Sequence, residues 1–194
     1  MPTRRAARTL FLMHRLVRWL RRSAAAVPIP IRPPDPGTVR LRYQLERTLH
    51  DGAVAEISAL ALELGMISDS TADEGVAARV EAVQHRVTGI LDGLRCVGAC
   101  IYPPVLASAG LGPGLRAVAE KLDLRLRLDL PRVELGQAAR SRTGLLIADH
   151  FHTLRPGSLV RVRVRGRRIV RVSIIDQQPG GMPRRSHRAV LRCG

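Results

Sequence analysis

Residues 46–52 of this chain read Glu-Arg-Thr-Leu-His-Asp-Gly, and the adjacency of His50 and Asp51 is its arrangement best suited to chemistry. An imidazole whose one ring nitrogen gives its proton to a neighbouring carboxylate leaves the other nitrogen free to attack, so such a histidine can accept a phosphoryl group. A His-Asp pair on a helix is common on protein surfaces and is weak evidence by itself. Other candidate groups lie further on: Asp149 with His150 and His152, and Asp176 followed by Gly180. Histidines spaced by two point to different sides of a helix, and no thiol or carboxylate pattern completes a metal set. His150 and His152 therefore read as solvent-exposed, and no metal site is expected.

The elements that must position these groups follow from periodicity. Between residues 37 and 67, Leu41, Leu45, Leu49, Ile57, Leu60, Leu64 and Ile67 recur at three- and four-residue steps with Ala53 filling the gap, which predicts one helical stripe. At about 100° per residue, His50 lies roughly 90° from the centre of that stripe and Asp51 nearly opposite it. Residues 68–71, Ser-Asp-Ser-Thr, supply the turn and cap. A second helix carries Val76, Val80, Val83, Val87, Ile90, Leu94, Val97 and Ile101 in unbroken alternation of four and three, a coiled-coil seam. Pro103 and Pro104 end it. Two such stripes are not fully buried by an isolated hairpin, which points to a dimeric four-helix bundle; a monomeric hairpin packed on the C-terminal part is the alternative. Beyond Leu111 the pattern predicts a helix over residues 115–122, a strand over 124–130, a helical segment near 144–154 and a hairpin of 159–164 with 169–175.

Composition bounds the partners. The net charge of +16 would suit a polyanion. Yet of 32 basic residues only Lys121 is lysine, which, with abundant alanine, valine and glycine, points to GC-rich coding. Aromatic residues make up 3%, too few for base stacking, so nucleic acid is not expected as the main partner. Cys96, Cys100 and Cys193 read as reduced thiols in a cytoplasmic protein. No secretory signal or membrane span is visible. Residues 4–22 set Leu, Phe, Met, Val and Trp against arginines, so they suit either contact with an anionic membrane surface at its inner face or a packing helix. Residues 27–36 hold five prolines and read as an extended linker.

The box around His50, with Ile101-Tyr102-Pro103-Pro104-Val105-Leu106 and Gly110-Leu111 at the end of the second helix, resembles the phosphoacceptor region of bacterial two-component sensor histidine kinases. The branch concerned has an acceptor box reading E-R-x-L-H-D-G and a second helix ending I-x-P-P-V-L-x-x-x-G-L. The resemblance covers residues 37–181 and is degraded in its second half. It implies an α+β chain with a basic amphipathic segment at 1–26, a linker at 27–36 and a dimerisation and phosphoacceptor domain at 37–106. A degenerate, truncated α/β sandwich for ATP follows at 107–181, then a basic tail at 182–194. It further implies His50 as phosphoacceptor, Asp51 as its proton acceptor, and Asp149 as a general base where the family has a glutamate. Asp176 would read the adenine amino group, and Gly180 would let the backbone approach the nucleotide.

The departures from the family pattern are specific. Ala55 stands where a glutamine positions water for dephosphorylation, Thr153 where an asparagine holds magnesium, and Gln178 where the first glycine of the adenine box belongs. ATP and Mg2+ are thus expected to bind weakly. The partners implied are a second copy or a complete histidine kinase, and the receiver domain of a response regulator. A non-catalytic module that dimerises with an intact kinase and modulates it is the alternative.

Overall fold

The computed structural model describes residues 28–192. The amphipathic segment expected at residues 4–22, and Cys193, lie outside the described residues.

The first helix, α1 (Pro36–Leu49), starts where Asp35 caps it: its carboxylate accepts from the Thr38 amide at 3.0 Å and from the Thr38 hydroxyl, and proline occupies the first helical position. α1 runs through a π-helical turn (His50–Val54) into α2 (Ala55–Ser70). The buried face departs from the expected stripe on both sides of this turn: Val39, Glu46 and Val54 are buried, whereas Leu41 and Leu45 are 55% and 50% exposed and Ala53 is exposed as well.

Asp73 caps α3 (Glu74–Ile101) by accepting from the amides of Gly75 at 2.8 Å and Val76 at 3.1 Å. The expected polar cluster at 68–71 forms the end of α2 instead, and the cap comes two residues later. α3 packs antiparallel on α2 and on the C-terminal part of α1. Its seam splits into two files. Val80, Val87, Leu94 and Ile101 are half-buried against the hairpin, and Val76, Val83, Ile90 and Val97, seven residues apart, remain 44%, 45%, 57% and 52% exposed.

Pro103 and Pro104 break the chain into α4 (Pro104–Ser108), which leads to α5 (Leu111–Lys121) and α6 (Gln137–Phe151). These cover one face of a five-stranded sheet. Its strands are β1 (Ile29–Pro30), β2 (Arg125–Asp129), β3 (Leu159–Arg165), β4 (Ile169–Gln177) and β5 (Arg185–Arg192), in the order β1-β5-β4-β3-β2. β2 and β3 are parallel neighbours joined through α6, β3 with β4 and β4 with β5 are antiparallel, and β1 adds in parallel to β5.

Alternation fixes which side is inside. Val160, Val162 and Val164 of β3, Val170, Val172 and Ile174 of β4, and Ala189 and Leu191 of β5 meet Leu115, Leu145, Ile147 and Phe151 in one core. Each Val, Leu, Ile or Phe side chain among them contributes about 1.5–3 kcal/mol by leaving water. Leu106, from the box after the double proline, sits in the hollow left by two glycines: a Cβ on Gly114 would lie 2.9 Å from its Cδ2, and one on Gly144 3.2 Å. The opposite face, uncovered among the described residues, is arginine-rich, with Arg127 directly across from Arg161 and Arg165 across from Arg171.

The chain is therefore α+β, with helices segregated to one face of a mixed sheet whose central pairs are antiparallel and whose outer pairs are parallel. Two sequence expectations are corrected here. The basic run at 182–194, expected as a tail, supplies β5, which pairs along β4 from Arg185 to Arg192. The proline-rich linker is attached to the sheet through β1 and through Arg142, which donates to the carbonyls of Pro34 at 3.0 Å and Arg192 at 2.9 Å. Among the described residues no helix is long and apolar enough to cross a membrane.

Candidate functional site

His50 is the first residue of the π-helical turn, at the rim of the hairpin where α1, α3 and the residues after the double proline meet. Its side chain is 67% exposed and that of Asp51 60%. His50 Nδ1 lies 3.4 Å from Asp51 Oδ1, and Arg47, one turn earlier, donates from Nε to Asp51 Oδ2 at 3.1 Å. The carboxylate thus faces a cation and an imidazole at once. The Arg47 contact first, and the His50 contact second, hold Asp51 below the usual carboxylate range, so it is an ionised acceptor near neutral pH. With Nδ1 turned to Asp51, Nε2 is the nitrogen left for an incoming group. π-helical turns inside α-helices are frequent at functional positions, because the extra residue re-aims a side chain that a regular helix would leave elsewhere.

A small cleft beside His50 is lined by Glu46, Leu49, Val54, Leu94, Gly98 and Pro104. Glu46 is the inner acid of this cleft, 7% exposed, and a Cβ on Gly98 of α3 would lie 3.8 Å from its Cγ. Burial raises the Glu46 carboxyl above its ordinary range; His50 opposes that shift and Asp51 adds to it. Glu46 stood in the sequence as part of the box, one turn before His50, without a role. Helical spacing put Leu45 on the inner side of α1, but Leu45 is exposed and Glu46 takes that place.

Asp149 does not join His50. It belongs to α6 and takes a bidentate ion pair from Arg42 of α1, Nη1 to Oδ2 at 2.8 Å and Nη2 to Oδ1 at 2.9 Å. The same guanidinium donates to the carbonyls of Ile101 at 2.6 Å and Cys100 at 3.1 Å, at the C-terminus of α3. Arg42 therefore fastens the hairpin to the sheet domain. Arg42 lies eight residues before His50, about 12 Å along the helix.

Asp176 is 1% exposed at the inner face of β4. Two imidazoles close over it: His150 Nε2 at 3.2 Å and His187 Nε2 at 2.8 Å from the same oxygen, Oδ2. The two rings are 4.4 Å apart between centroids. Gly180 stands in the exposed turn after β4 with φ +83°, a conformation that favours glycine. The Thr153 hydroxyl donates to the His150 carbonyl at 2.7 Å.

The expectation that His150 is solvent-exposed is corrected, since it is largely buried against Asp176 and His187; His152 is exposed as expected. Cys96 and Cys100 are free thiols on the surface of α3. His187 was missed because the basic composition of residues 182–194 hid a period-two pattern: His187, Ala189 and Leu191 point in, and Ser186, Arg188 and Arg192 do not.

No protein-family model matches this chain, and no curated protein matches it. Among solved structures it is similar to the Erythrobacter litoralis EL346 blue-light activated histidine kinase, with 16% identity, 69% of this chain and 46% of that one covered, and a TM-score of 0.27. The chain thus spans less than half the length of that kinase.

Proposed function

We propose that this chain is a histidine-kinase-type phosphotransfer protein of a two-component signalling system, with His50 as phosphoacceptor and a response-regulator receiver domain as the destination of the phosphoryl group. The observation that carries the reading is the state of His50: exposed, at a π-helical turn, with Nδ1 facing a carboxylate held ionised by Arg47 and Nε2 free. It stands inside the acceptor box and opposite the proline-ended helix that suggested the family.

The chemistry follows from the pair. The Nε2 lone pair attacks phosphorus, the bond from phosphorus to the donor's leaving oxygen breaks, and the positive charge developing on the ring is relieved at Nδ1, whose proton Asp51 is placed to accept. The resulting phosphoramidate is reactive enough to pass its phosphoryl group to a receiver carboxylate.

The residues that should hold ATP and Mg2+ fit that group poorly. Asp149 is already neutralised by Arg42, the Thr153 hydroxyl is bonded to the backbone, and Asp176 is covered by two imidazoles. No step of the reaction is therefore assigned to nucleotide on this chain, and the phosphoryl donor is a complete partner kinase. The exposed file Val76, Val83, Ile90 and Val97 supports dimerisation as a four-helix bundle, as a homodimer or with that kinase. The covering of Asp176 equally favours a second reading, a non-catalytic dimerising module that modulates an intact kinase. Peripheral contact with the inner membrane surface through residues 4–22 remains part of the proposal.

The test is transfer of labelled phosphate from candidate kinases. Label should be acid-labile and alkali-stable, absent in His50→Gln, and taken up roughly 10²- to 10⁴-fold more slowly in Asp51→Asn. Label retained by His50→Gln would refute the assignment, and absence of label with every kinase, alongside dimerisation, would favour the modulatory module.

A further inference from the structure

We infer that His150, Asp176 and His187 form a binding site for one divalent transition-metal ion, of the zinc class, between α6 and the strands β4 and β5. The three residues lie 26 and 11 positions apart and come from three elements, yet their donor atoms all fall within 4.8 Å of one another. Both Nε2 atoms converge on one carboxylate oxygen, at 3.2 and 2.8 Å. A tetrahedral ion bound at about 2.0–2.1 Å keeps its donors about 3.3 Å apart, and two of the three separations here, 3.2 and 2.8 Å, lie near that value while the third is within 4.8 Å.

The second observation is the state of His187. It is 8% exposed, and among the described residues neither of its ring nitrogens makes a hydrogen bond, although Nε2 is only 2.8 Å from Asp176. The ring is turned so that a proton on Nε2 would not point at the oxygen. A buried imidazole left unsatisfied is costly, and a coordinated ion would supply the missing partner. Histidine must be neutral to coordinate.

Two imidazoles and one carboxylate select the ion by class. Nitrogen donors suit Zn2+, Co2+, Ni2+ or Cu2+, and are poor ligands for Mg2+ or Ca2+. Three protein donors leave one position for water. The site would also bind the last strand to the rest of the domain, since β5 supplies His187 and α6 supplies His150. It is independent of the His50 reading: phosphotransfer can fail while metal binding holds, and the reverse.

The experiment titrates the full, chelator-stripped chain with Zn2+ and with Co2+. One equivalent should bind with a dissociation constant in the micromolar range or tighter, raise the thermal midpoint, and give cobalt the visible absorption of a four-coordinate ion. Asp176→Asn, His150→Gln and His187→Gln should each weaken binding at least tenfold, while His85→Gln and His152→Gln leave it unchanged. Because the buried variants can unfold, the wild-type chain is also followed by long-range nitrogen-proton spectra of its histidines, in which Nε2 of His150 and His187 should shift on loading. Failure to take up one equivalent, or shifts confined to other histidines, would overturn the proposal.

Discussion

Arg42→Ala separates the hairpin from the sheet domain at a single residue, and its cost can be worked from the contacts. The guanidinium makes two hydrogen bonds to Asp149 at 2.8 and 2.9 Å, and two to the carbonyls of Cys100 and Ile101. A charged hydrogen bond is worth about 1.5–3 kcal/mol when buried, whereas an exposed ion pair is worth about 0.2–1 kcal/mol. The side chains here are 24% and 42% exposed, which places the bidentate pair between those limits, at about 1–2 kcal/mol. The carbonyls at the end of α3 add about 1 kcal/mol, because a cation there also meets the negative end of the helix.

Arg42→Ala should therefore cost about 2–3 kcal/mol and Asp149→Ala about 1–2 kcal/mol. The double variant should cost little more than Arg42→Ala alone, giving a coupling energy of about 1–2 kcal/mol. Arg42→Lys should recover less than half, since an ammonium does not reproduce the fork. The assay is urea unfolding followed by circular dichroism at one fixed protein concentration, because association would otherwise shift the midpoint. Additive single effects, within about 0.5 kcal/mol, would refute the idea that this ion pair joins the two parts.

Ile90→Glu, at the most exposed position of the α3 file, should convert the dimer to a folded monomer by light scattering, and a monomeric wild type at micromolar concentration would sink the bundle. Glu46 carries a carboxyl raised by burial, so its protonated form is the one favoured by folding. Its contribution is fully present below the ordinary glutamate range and is lost as pH rises through the raised value. Glu46→Gln should thus be more stable than wild type at neutral pH, by on the order of 1 kcal/mol, with the difference shrinking on acidification; an equal or larger gap in acid would contradict the sign. Calorimetric titration with magnesium and a non-hydrolysable ATP analogue should give a dissociation constant near millimolar or weaker, because losing several phosphate and cation contacts costs about 1.5–3 kcal/mol each. A low-micromolar value would mean that the imidazoles over Asp176 move aside for adenine.

What was legible in the sequence was local. The four-three rhythm from Val76 to Ile101 gave α3 to within two residues, and alternation gave β3 and β4, because both patterns depend only on which face of an element is dry. The His50–Asp51 pair was legible for the same reason, both partners lying on one helix. The π-helical turn was not, nor was the buried face of α1, which takes Val39 and Glu46 in place of Leu41 and Leu45. β5 was hidden by its own arginines, which alternate with an inward histidine rather than an obvious aliphatic. Arg42 with Asp149, 107 positions apart, and His150 with Asp176 and His187 were out of reach, since each depends on how α6 lies over the sheet. Spacing along one helix, the rule used to set aside a metal at His150, is silent about partners supplied by strands.

The open face of the sheet carries its own consequence for how the domain responds to ionic strength. Among the described residues only Asp129 answers its cations there, holding Arg163 at 3.0 Å and Arg165 at 2.6 Å. Arg127 and Arg161, and Arg165 and Arg171, confront each other across neighbouring strands, where like charges oppose pairing. Mobile counterions shorten the reach of that repulsion to about 8 Å at physiological ionic strength and about 3 Å at 1 M. For most proteins held by surface ion pairs, added salt loosens the fold. Here desalting lengthens the reach of the repulsion between the arginine rows, and the thermal midpoint is expected to fall as salt is removed.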